Sequence, residues 1–279
     1  MRWVIQGEEI FTQDLKTLAK LGKAQSIHRV TDTAFFLLDA QPADEIPAYC
    51  YEKQLDCAFV PEEESLARFK LAIFDMDSTL IKNECIDEMA DAIGIKPLIS
   101  KLTERAMRGE IPFSESLLAR LQALAGIDEI TLQKIATTKI HLVSGAEKLI
   151  HALHYHKIET VIITGGFHQF VQHVANKLHI NKFICNELEL IDNKLSGNLA
   201  APLIDGNAKA THLVRLCSEL GINPNDVLAV GDGANDAELF KKAGTSIAFH
   251  AKPILRDIAT HRLDFVGIDG ILAIFPPSK

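Results

Sequence analysis

The chain has 279 residues, of which 47% are apolar, and this suits one large core or two or three smaller domains. Its formal net charge is −8, from 29 basic and 37 acidic side chains, which argues against nucleic-acid binding because that needs a basic face. The charge does not exclude a small phosphorylated substrate, since a local pocket can reverse the overall sign.

Residues 1–66 are predicted to form a small, separate α+β domain. In chain order the pattern predicts the strand RWVIQG, the helix EEIFTQDLKTLAKLG, the strands QSIHRV and TAFFLLD, the helix ADEIPAYCYEK and the strand CAFV. The first helix should bury a face made of Phe11, Leu15, Leu18 and Leu21, and Pro47 should break the second helix. The β-α-β-β-α-β order is typical of a ferredoxin-like sandwich. The acidic stretch PEEES (61–65) is predicted to be a linker.

From residue 67 onward strands alternate with helices, as in a parallel α/β sheet. The predicted strands are short and rich in β-branched residues: LAIFD (71–75), TVIIT (160–164), KFIC (182–185), VLAVGD (227–232) and TSIAF (245–249). We therefore predict a doubly wound, Rossmann-like core of residues 67–83 and 142–279. A hairpin is predicted at 187–199, around Asp192-Asn193.

The segment between the first two core strands is too long for a simple crossover, which needs only about a dozen residues. Residues 84–141 show helical spacing, for example at Ile86, Met89 and Ile93. An insertion at this place would lie above the carboxyl ends of the strands, where open α/β sheets bind ligands. We predict that 84–141 form a helical cap.

The N-terminus shows no signal peptide, and no stretch approaches the ~18 apolar residues of a membrane span. Five cysteines are scattered without Cys-x-x-Cys spacing: Cys50, Cys57, Cys85, Cys185 and Cys217. Buried free thiols are the simplest interpretation of this pattern. We therefore expect a cytoplasmic protein with no membrane partner.

Four polar features occur at predicted strand ends or helix starts. They are Asp75-x-Asp77, Thr164-Gly165-Gly166, Lys209 near a helix start, and the GDGAND segment 231–236. Thr164-Gly165-Gly166 is predicted to be a flexible turn whose backbone N–H groups can approach an anion closely. Each one alone is more often a turn residue, a helix cap or a solvated side chain. Their joint occurrence at one edge of one sheet instead indicates a common site.

These residue types suit phosphoryl transfer to a carboxylate. Asp75 is a candidate nucleophile that attacks phosphorus, and Asp77 is a candidate acid and base for the leaving oxygen and the attacking water. Mg²⁺ would neutralise the repulsion between the anions, with Asp75, Asp232 and Asp236 as candidate oxygen ligands. Lys209 and the Thr164 hydroxyl would contact phosphoryl oxygens.

The segments FDMDSTLIKNECIDEMA, ITGGF, NAK and GDGANDAELFKKAG resemble the haloacid dehalogenase superfamily, and within it the phosphoserine phosphatases. The resemblance covers residues 70–275 and implies a nucleophilic Asp75 and an acid/base Asp77 whose carbonyl also binds Mg²⁺. It further implies Asp232 as the third protein ligand, with Asn235 and Asp236 supporting that loop.

The same resemblance implies which residues bind substrate: Glu84, Met107, Phe113, Arg120, Thr164, Gly165, Lys209 and Asn235. Glu84 would bind the substrate ammonium and Arg120 its carboxylate, while Met107 and Phe113 close over it. The implied reaction is hydrolysis of O-phospho-L-serine to L-serine and phosphate, the last step of serine biosynthesis. The N-terminal domain is similar in element order to amino-acid-binding regulatory domains, so we expect a separable module for regulation or homodimer formation.

Other functions remain open at this point. A different small-molecule phosphatase or phosphotransferase would use the same machinery, and only an amino-acid substrate needs both Glu84 and Arg120. A phospho-accepting signalling module is disfavoured by the predicted cap and by Asp77, because Asp77 would act as a base that hydrolyses the phosphoryl group the module needs to keep. A pump-type ATPase would need membrane spans. His151 and His154 can share a helix face, but neither a carboxylate nor a cysteine completes a metal site there.

Overall fold

The computed structural model describes residues 1–108 and 110–277. The N-terminal segment contains six elements: β1 (Arg2–Gln6), α1 (Thr12–Leu21), β2 (Ser26–Thr31), β3 (Ala34–Leu38), α2 (Glu45–Glu52) and β4 (Asp56–Val60). Its four strands form an antiparallel sheet in the order β2-β3-β1-β4. This order and the β-α-β-β-α-β sequence confirm the predicted ferredoxin-like arrangement.

Two details of this segment differ from the prediction. Phe11 is 58% exposed, because α1 begins only at Thr12 and Phe11 precedes its first turn; Leu15 and Leu18 are buried as expected. Pro47 does not break α2, which is continuous over Glu45–Glu52. It lies in the first turn, where a backbone N–H has no partner within the helix, so its missing donor costs no hydrogen bond.

The rest of the chain forms the following elements: β5 (Leu71–Phe74), α3 (Cys85–Ala92), α4 (Lys96–Met107), α5 (Phe113–Ala123), α6 (Glu129–Thr138), α7 (Ala146–Tyr155), β6 (Glu159–Phe167), α8 (His168–Leu178), β7 (Lys182–Asn186), β8 (Leu188–Ile191), β9 (Lys194–Leu199), α9 (Gly206–Leu220), β10 (Val227–Gly231), α10 (Ala237–Phe240), β11 (Thr245–Phe249), α11 (Pro253–Arg256), β12 (His261–Leu263) and α12 (Ile271–Ile274). Six strands form a parallel sheet in the order β12-β11-β10-β5-β6-β7. The Rossmann-like core is confirmed, and β12 is a strand that the sequence pattern does not indicate.

Both faces of this sheet are covered, which explains why its strands are almost wholly apolar. Alternate residues of β5 point to opposite sides: Leu71 and Ile73 join the cluster that includes α9, whereas Ala72 and Phe74 join the cluster that includes α7 and α8. The sheet is therefore the middle of three layers. None of the helices in the described residues is long and apolar enough to cross a membrane.

The helices α3–α6 follow β5 directly, as predicted for an insertion at the carboxyl edge. A backbone bridge between Ile81 and Leu142 closes the base of this insertion. The hairpin β8–β9 turns at Asp192 and Asn193, both with positive φ, as its Asp-Asn pair predicts. We call residues 84–141 the cap.

Candidate active site

Asp75 lies immediately after β5, at the carboxyl edge of the sheet, and is 3% exposed. Its Oδ2 is 2.9 Å from the Lys209 Nζ and accepts a hydrogen bond of 3.1 Å from the Asn235 Nδ2. Its Oδ1 accepts the backbone N–H of Met76 at 2.8 Å. The carboxylate is thus held from both sides in one orientation, as a nucleophile requires.

Lys209 is fully buried, which excludes the interpretation as a solvated helix residue. It lies in the first turns of α9, which begins after the N-cap Asp205, whose side chain accepts the Ala208 N–H at 2.8 Å. The ammonium contacts Asp236 Oδ1 at 2.8 Å as well as Asp75. Burial alone would lower the pKa of Lys209, but the charges of Asp236 and Asp75 hold that pKa above its usual value. The ammonium therefore stays charged.

Carboxylate oxygens of Asp75, Asp232 and Asp236 lie within 4.8 Å of one another, and all three residues are buried. Burial, reinforced by the neighbouring charge of Asp75, raises the pKa of Asp232 to about 7. One ammonium does not balance three carboxylates, and clustered hard oxygens are the donor set of a divalent cation such as Mg²⁺. These residues therefore form a candidate metal site, which the Asp77 carboxylate does not join.

Asp77 is half-buried, and its Oδ1 accepts a hydrogen bond of 2.9 Å from the Cys85 thiol at the start of α3. Burial raises the pKa of Asp77 well above its ordinary value, and the charges of Glu84 and Asp75 raise it further. Asp75 and Asp77 thus differ in their surroundings: the first is paired with a cation, whereas the second faces other acids. This asymmetry suits one nucleophile and one proton donor.

The Thr164-Gly165-Gly166 segment differs from the flexible turn expected. It is part of β6, which extends to Phe167 with an irregular register after Ile163. The side chain of Thr164 is buried, and its Oγ1 accepts the Gly166 N–H at 2.9 Å. A Cβ on Gly166 would lie 2.7 Å from Met76 Cε, so this glycine provides space beside the acid pair rather than an unusual φ.

Glu84 and Arg120, the two charged residues predicted to bind the amino-acid end of the substrate, lie on the cap. Glu84 precedes α3 without capping it by a side-chain bond; its Oε1 accepts a 2.8 Å hydrogen bond from the Ser78 hydroxyl. Arg120 is 8% exposed and donates to the Ser116 carbonyl at 3.3 Å. Burial lowers the pKa of Arg120, and the charges of Glu84 and Asp87 oppose that shift. The predicted contact side chains of Met107 and Phe113 lie outside the described part of the structure.

Sequence reasoning missed several residues that hold this site. The buried Asn186 donates to the Gly165 carbonyl and accepts the Ile204 N–H, both at 2.8 Å. The Thr79 hydroxyl donates to Asp232 Oδ1 at 3.3 Å. Thr79 is visible in the Asp-x-Asp-x-Thr pattern, but no local signal indicates that Asn186, at the end of β7, reaches the neighbouring strand.

Comparisons with known proteins agree with this geometry. The family model for a haloacid dehalogenase-like hydrolase matches residues 69–244, and a model for a domain of unknown function (DUF4072) matches residues 4–46. A phosphoserine phosphatase from Albidiferax ferrireducens is 39% identical over 217 residues, which are 76% of this chain and 92% of the relative.

Two solved structures are also similar. The crystal structure of a probable phosphoserine phosphatase from Vibrio cholerae, in its unliganded form, aligns with a TM-score of 0.84 at 28% identity. The alignment covers 98% of this chain and 85% of the Vibrio cholerae chain. A phospho-aspartyl intermediate analogue of phosphoserine phosphatase has a TM-score of 0.69 at 37% identity, over 74% of this chain and 99% of its own. The family model matches more than half of the chain, and the relative at 39% identity matches most of it, so the chain belongs to the haloacid dehalogenase-like hydrolases.

Proposed function

We propose that this chain hydrolyses O-phospho-L-serine to L-serine and phosphate, as the last step of serine biosynthesis. The observation that carries the proposal is the pair Asp75 and Asp77 at the end of β5. Lys209 and Asn235 hold the carboxylate of Asp75, and the raised pKa of Asp77 favours its protonated form. The names of the relatives support the choice of phosphoserine among phosphomonoesters.

Asp75 attacks phosphorus, and the ester P–O bond breaks, so that an aspartyl-phosphate forms and serine leaves. Asp77, whose raised pKa favours its protonated form, gives its proton to the leaving serine oxygen. It then takes a proton from the water that attacks the aspartyl-phosphate, which releases phosphate and regenerates Asp75. Lys209 and the Thr164 hydroxyl bind phosphoryl oxygens during both steps.

Mg²⁺ is the proposed cofactor, because the donor set at the candidate metal site consists of hard carboxylate oxygens. Asp75, Asp232 and the main-chain carbonyl of Asp77 would hold it, with Asp236 as a further ligand or a support for Asp232. When bound, it supplies positive charge that offsets the repulsion between the nucleophile and the phosphate. The Thr79 hydroxyl helps to orient Asp232 through its 3.3 Å hydrogen bond to Asp232 Oδ1.

The cap is proposed to select the amino-acid end of the substrate, with Arg120 binding the carboxylate and Glu84 the ammonium. Met107 and Phe113 would cover the bound substrate, and Gly165 and Asn235 would line the phosphate end. A buried guanidinium left without its partner penalises a substrate that lacks the carboxylate. Phosphoethanolamine is therefore expected to be a much poorer substrate than O-phosphoserine.

The test is phosphate release from O-phosphoserine, phosphoethanolamine and a sugar phosphate, each with Mg²⁺ and with chelator. Asp75→Asn should remove turnover while the protein stays folded; Asp44→Asn, an exposed aspartate on the N-terminal segment, is the matched control. Equal kcat/KM values for phosphoserine and phosphoethanolamine in the wild type would reject selection of the amino-acid end and would indicate a general small-molecule phosphatase. Normal turnover of Asp75→Asn would reject the mechanism.

Two cap variants separate charge from packing. Arg120→Ala should narrow the ratio of kcat/KM between phosphoserine and phosphoethanolamine, because the charge that distinguishes them is gone. Thr103→Val is the control, since the Thr103 hydroxyl lies 3.5 Å from Arg120 Nη1 but carries no charge. A ratio that falls equally in both variants would assign selectivity to cap packing.

We also propose the division into an N-terminal domain (1–66), a catalytic core (67–83 and 142–279) and a cap (84–141). Self-association through the N-terminal domain is supported by β2, an edge strand that is almost wholly exposed, with Ile27 42% exposed. Ile27→Lys should then shift a concentration-dependent dimer toward monomer in sedimentation, and a wild type that is monomeric at all concentrations would reject this.

Free thiols at all five cysteines support a cytoplasmic location, and the negative charge supports a small phosphomonoester rather than nucleic acid as partner.

A further inference from the structure

The N-terminal sheet uses both of its faces for burial. Trp3, Ile5 and Leu37 pack beneath α1 and α2, whereas the alternate residues Val4 and Phe36 belong to the same apolar cluster as the catalytic core. The sheet is therefore a layer between its own helices and the C-terminal segment of the chain. This contrasts with the separable module that the sequence indicates.

A carboxylate ties the two layers together. Asp56, the first residue of β4, is 4% exposed, and its Oδ1 accepts the Asp264 N–H at 2.6 Å. Its Oδ2 accepts the N–H groups of Phe265 at 3.0 Å and Val266 at 2.9 Å. Three successive backbone donors that converge on one point form an anion-binding concavity, and here the anion is the chain's own side chain. Without it, the three donors would lose their acceptor.

The residues that directly follow the segment held by Asp56, 267–269, contact the base of the cap. Ile268 donates its N–H to the Ser144 carbonyl at 3.0 Å, and Lys148 pairs with Asp269 at 2.9 Å. A Cβ on Gly267 would lie 2.8 Å from the Ser144 oxygen, so the two backbones are in close contact. Ser144 is where the chain returns from the cap into α7.

The same segment also reaches the candidate metal site. His250 donates its backbone N–H to the Leu263 carbonyl at 2.8 Å, and its Nε2 lies 3.0 Å from the Val266 carbonyl. Two residues further on, the Lys252 N–H donates to the Asp232 carbonyl at 2.9 Å. The backbone of Asp232 is thus two hydrogen-bonded steps from the segment that Asp56 fixes.

We infer that Asp56 of the N-terminal domain is a positioning residue for the active site, which it serves by fixing residues 264–266 and through them the cap base and the Asp232 loop. Asp56 touches neither substrate nor metal. Its effect on turnover rests on the proposed hydrolytic function, but its effect on the backbone at 250–252 does not. The N-terminal domain is then a part of the catalytic architecture.

The test uses Asp56→Ala and the milder Asp56→Asn, which keeps one oxygen acceptor. The control is Asp14→Ala, because Asp14 is also buried in the N-terminal domain but bonds Tyr49 at 2.7 Å on the side away from the core. Hydrogen exchange of the amides at 250, 252 and 264–266 and kcat/KM are measured below the unfolding temperature of each variant. O-phosphoserine and p-nitrophenyl phosphate serve as substrates.

Asp56→Ala should speed exchange at all five amides and lower kcat/KM on the order of tenfold, mainly through kcat, since small displacements near reacting groups cost rate. Asp56→Asn should fall between it and the wild type, and Asp14→Ala should lose thermal stability without either change. Wild-type exchange at 250 and 252 in Asp56→Ala, or an equal loss of kcat/KM in Asp14→Ala, would overturn the inference. A wild type that hydrolyses neither substrate would reject the proposed function, and the exchange data would still decide the inference.

Discussion

Replacing Lys209 by methionine tests whether one buried cation holds the acidic site together. The ammonium is fully buried and lies 2.9 Å from Asp75 and 2.8 Å from Asp236, which is itself inaccessible to solvent. Methionine has a similar length and packs well in apolar surroundings, so Lys209→Met removes the charge with little change in volume. The two carboxylates are then left together without their cation.

The expected loss in the free energy of unfolding is about 3–5 kcal/mol, the range for removing one partner from a buried ion pair. Such a loss is a large part of the ~5–15 kcal/mol that stabilises a typical domain. The matched control is Lys70→Met. Lys70 pairs with Asp226 at 2.7 Å but is 63% exposed, so the variant should lose at most about 1 kcal/mol.

Urea unfolding in chelator measures both variants. The double variant Lys209→Met/Asp236→Asn should recover part of the loss, because one of the two unpaired charges is removed. A Lys209→Met protein that unfolds at the wild-type urea concentration, with an unchanged denaturant slope, would refute the argument that this lysine neutralises the site. Phosphate release should be lost in Lys209→Met in either case.

Three further changes test single features. Gly166→Ala should lower kcat because its Cβ would lie 3.3 Å from the Asp77 Oδ2, and wild-type kcat would contradict this. Asn186→Ala should cost about 1–3 kcal/mol in urea unfolding, since the Gly165 carbonyl and a backbone N–H lose their partner. Burial lowers the pKa of His261 to about 4, so the folded protein keeps this imidazole neutral, whereas the unfolded chain protonates it below about pH 6.5. The free energy of unfolding should therefore fall by up to about 3 kcal/mol as the pH drops from about 6.5 toward 4. His261→Gln should flatten that part of the pH profile, and an unchanged profile would exclude the effect.

The proximity of Asp75 and Asp232 was predictable because parallel strands bring their carboxyl ends to one edge. Asp75 and Asp232 follow adjacent strands, β5 and β10, so a short motif on each strand is enough to predict that they meet. Burial was not predictable from the same motifs. Lys209 stands between two alanines, Ala208 and Ala210, which do not indicate whether its side chain is buried, and the packing of α9 against the sheet removes it from water.

The conformation predicted for Gly165 and Gly166 was wrong. A Gly-Gly pair after a strand usually indicates a turn with unusual φ, whereas Gly165 and Gly166 continue β6. Gly166 has to lack a side chain because a Cβ there would collide with Met76, which follows a different strand. A contact between residues 90 positions apart leaves no trace in local periodicity, and the same holds for Asp56, whose partners lie 208–210 positions away.

The turn of the hairpin β8–β9 was predictable from the sequence, but its contacts were not. Asp192-Asn193 predicts the turn, since both residues tolerate positive φ, but nothing in the pattern indicates what the hairpin contacts. In the structure Leu195 exchanges backbone hydrogen bonds with the cap, donating to Ile127 at 2.9 Å and accepting from Gly126 at 2.8 Å. The cap is therefore attached to the core at the Ile81–Leu142 bridge and again through this hairpin. A third backbone bond joins the hairpin to the cap, from the Glu129 N–H to the Asn193 carbonyl at 3.0 Å. Any opening of the cap has to carry the hairpin with it or break these three bonds, so the hairpin sets part of the free-energy cost of opening.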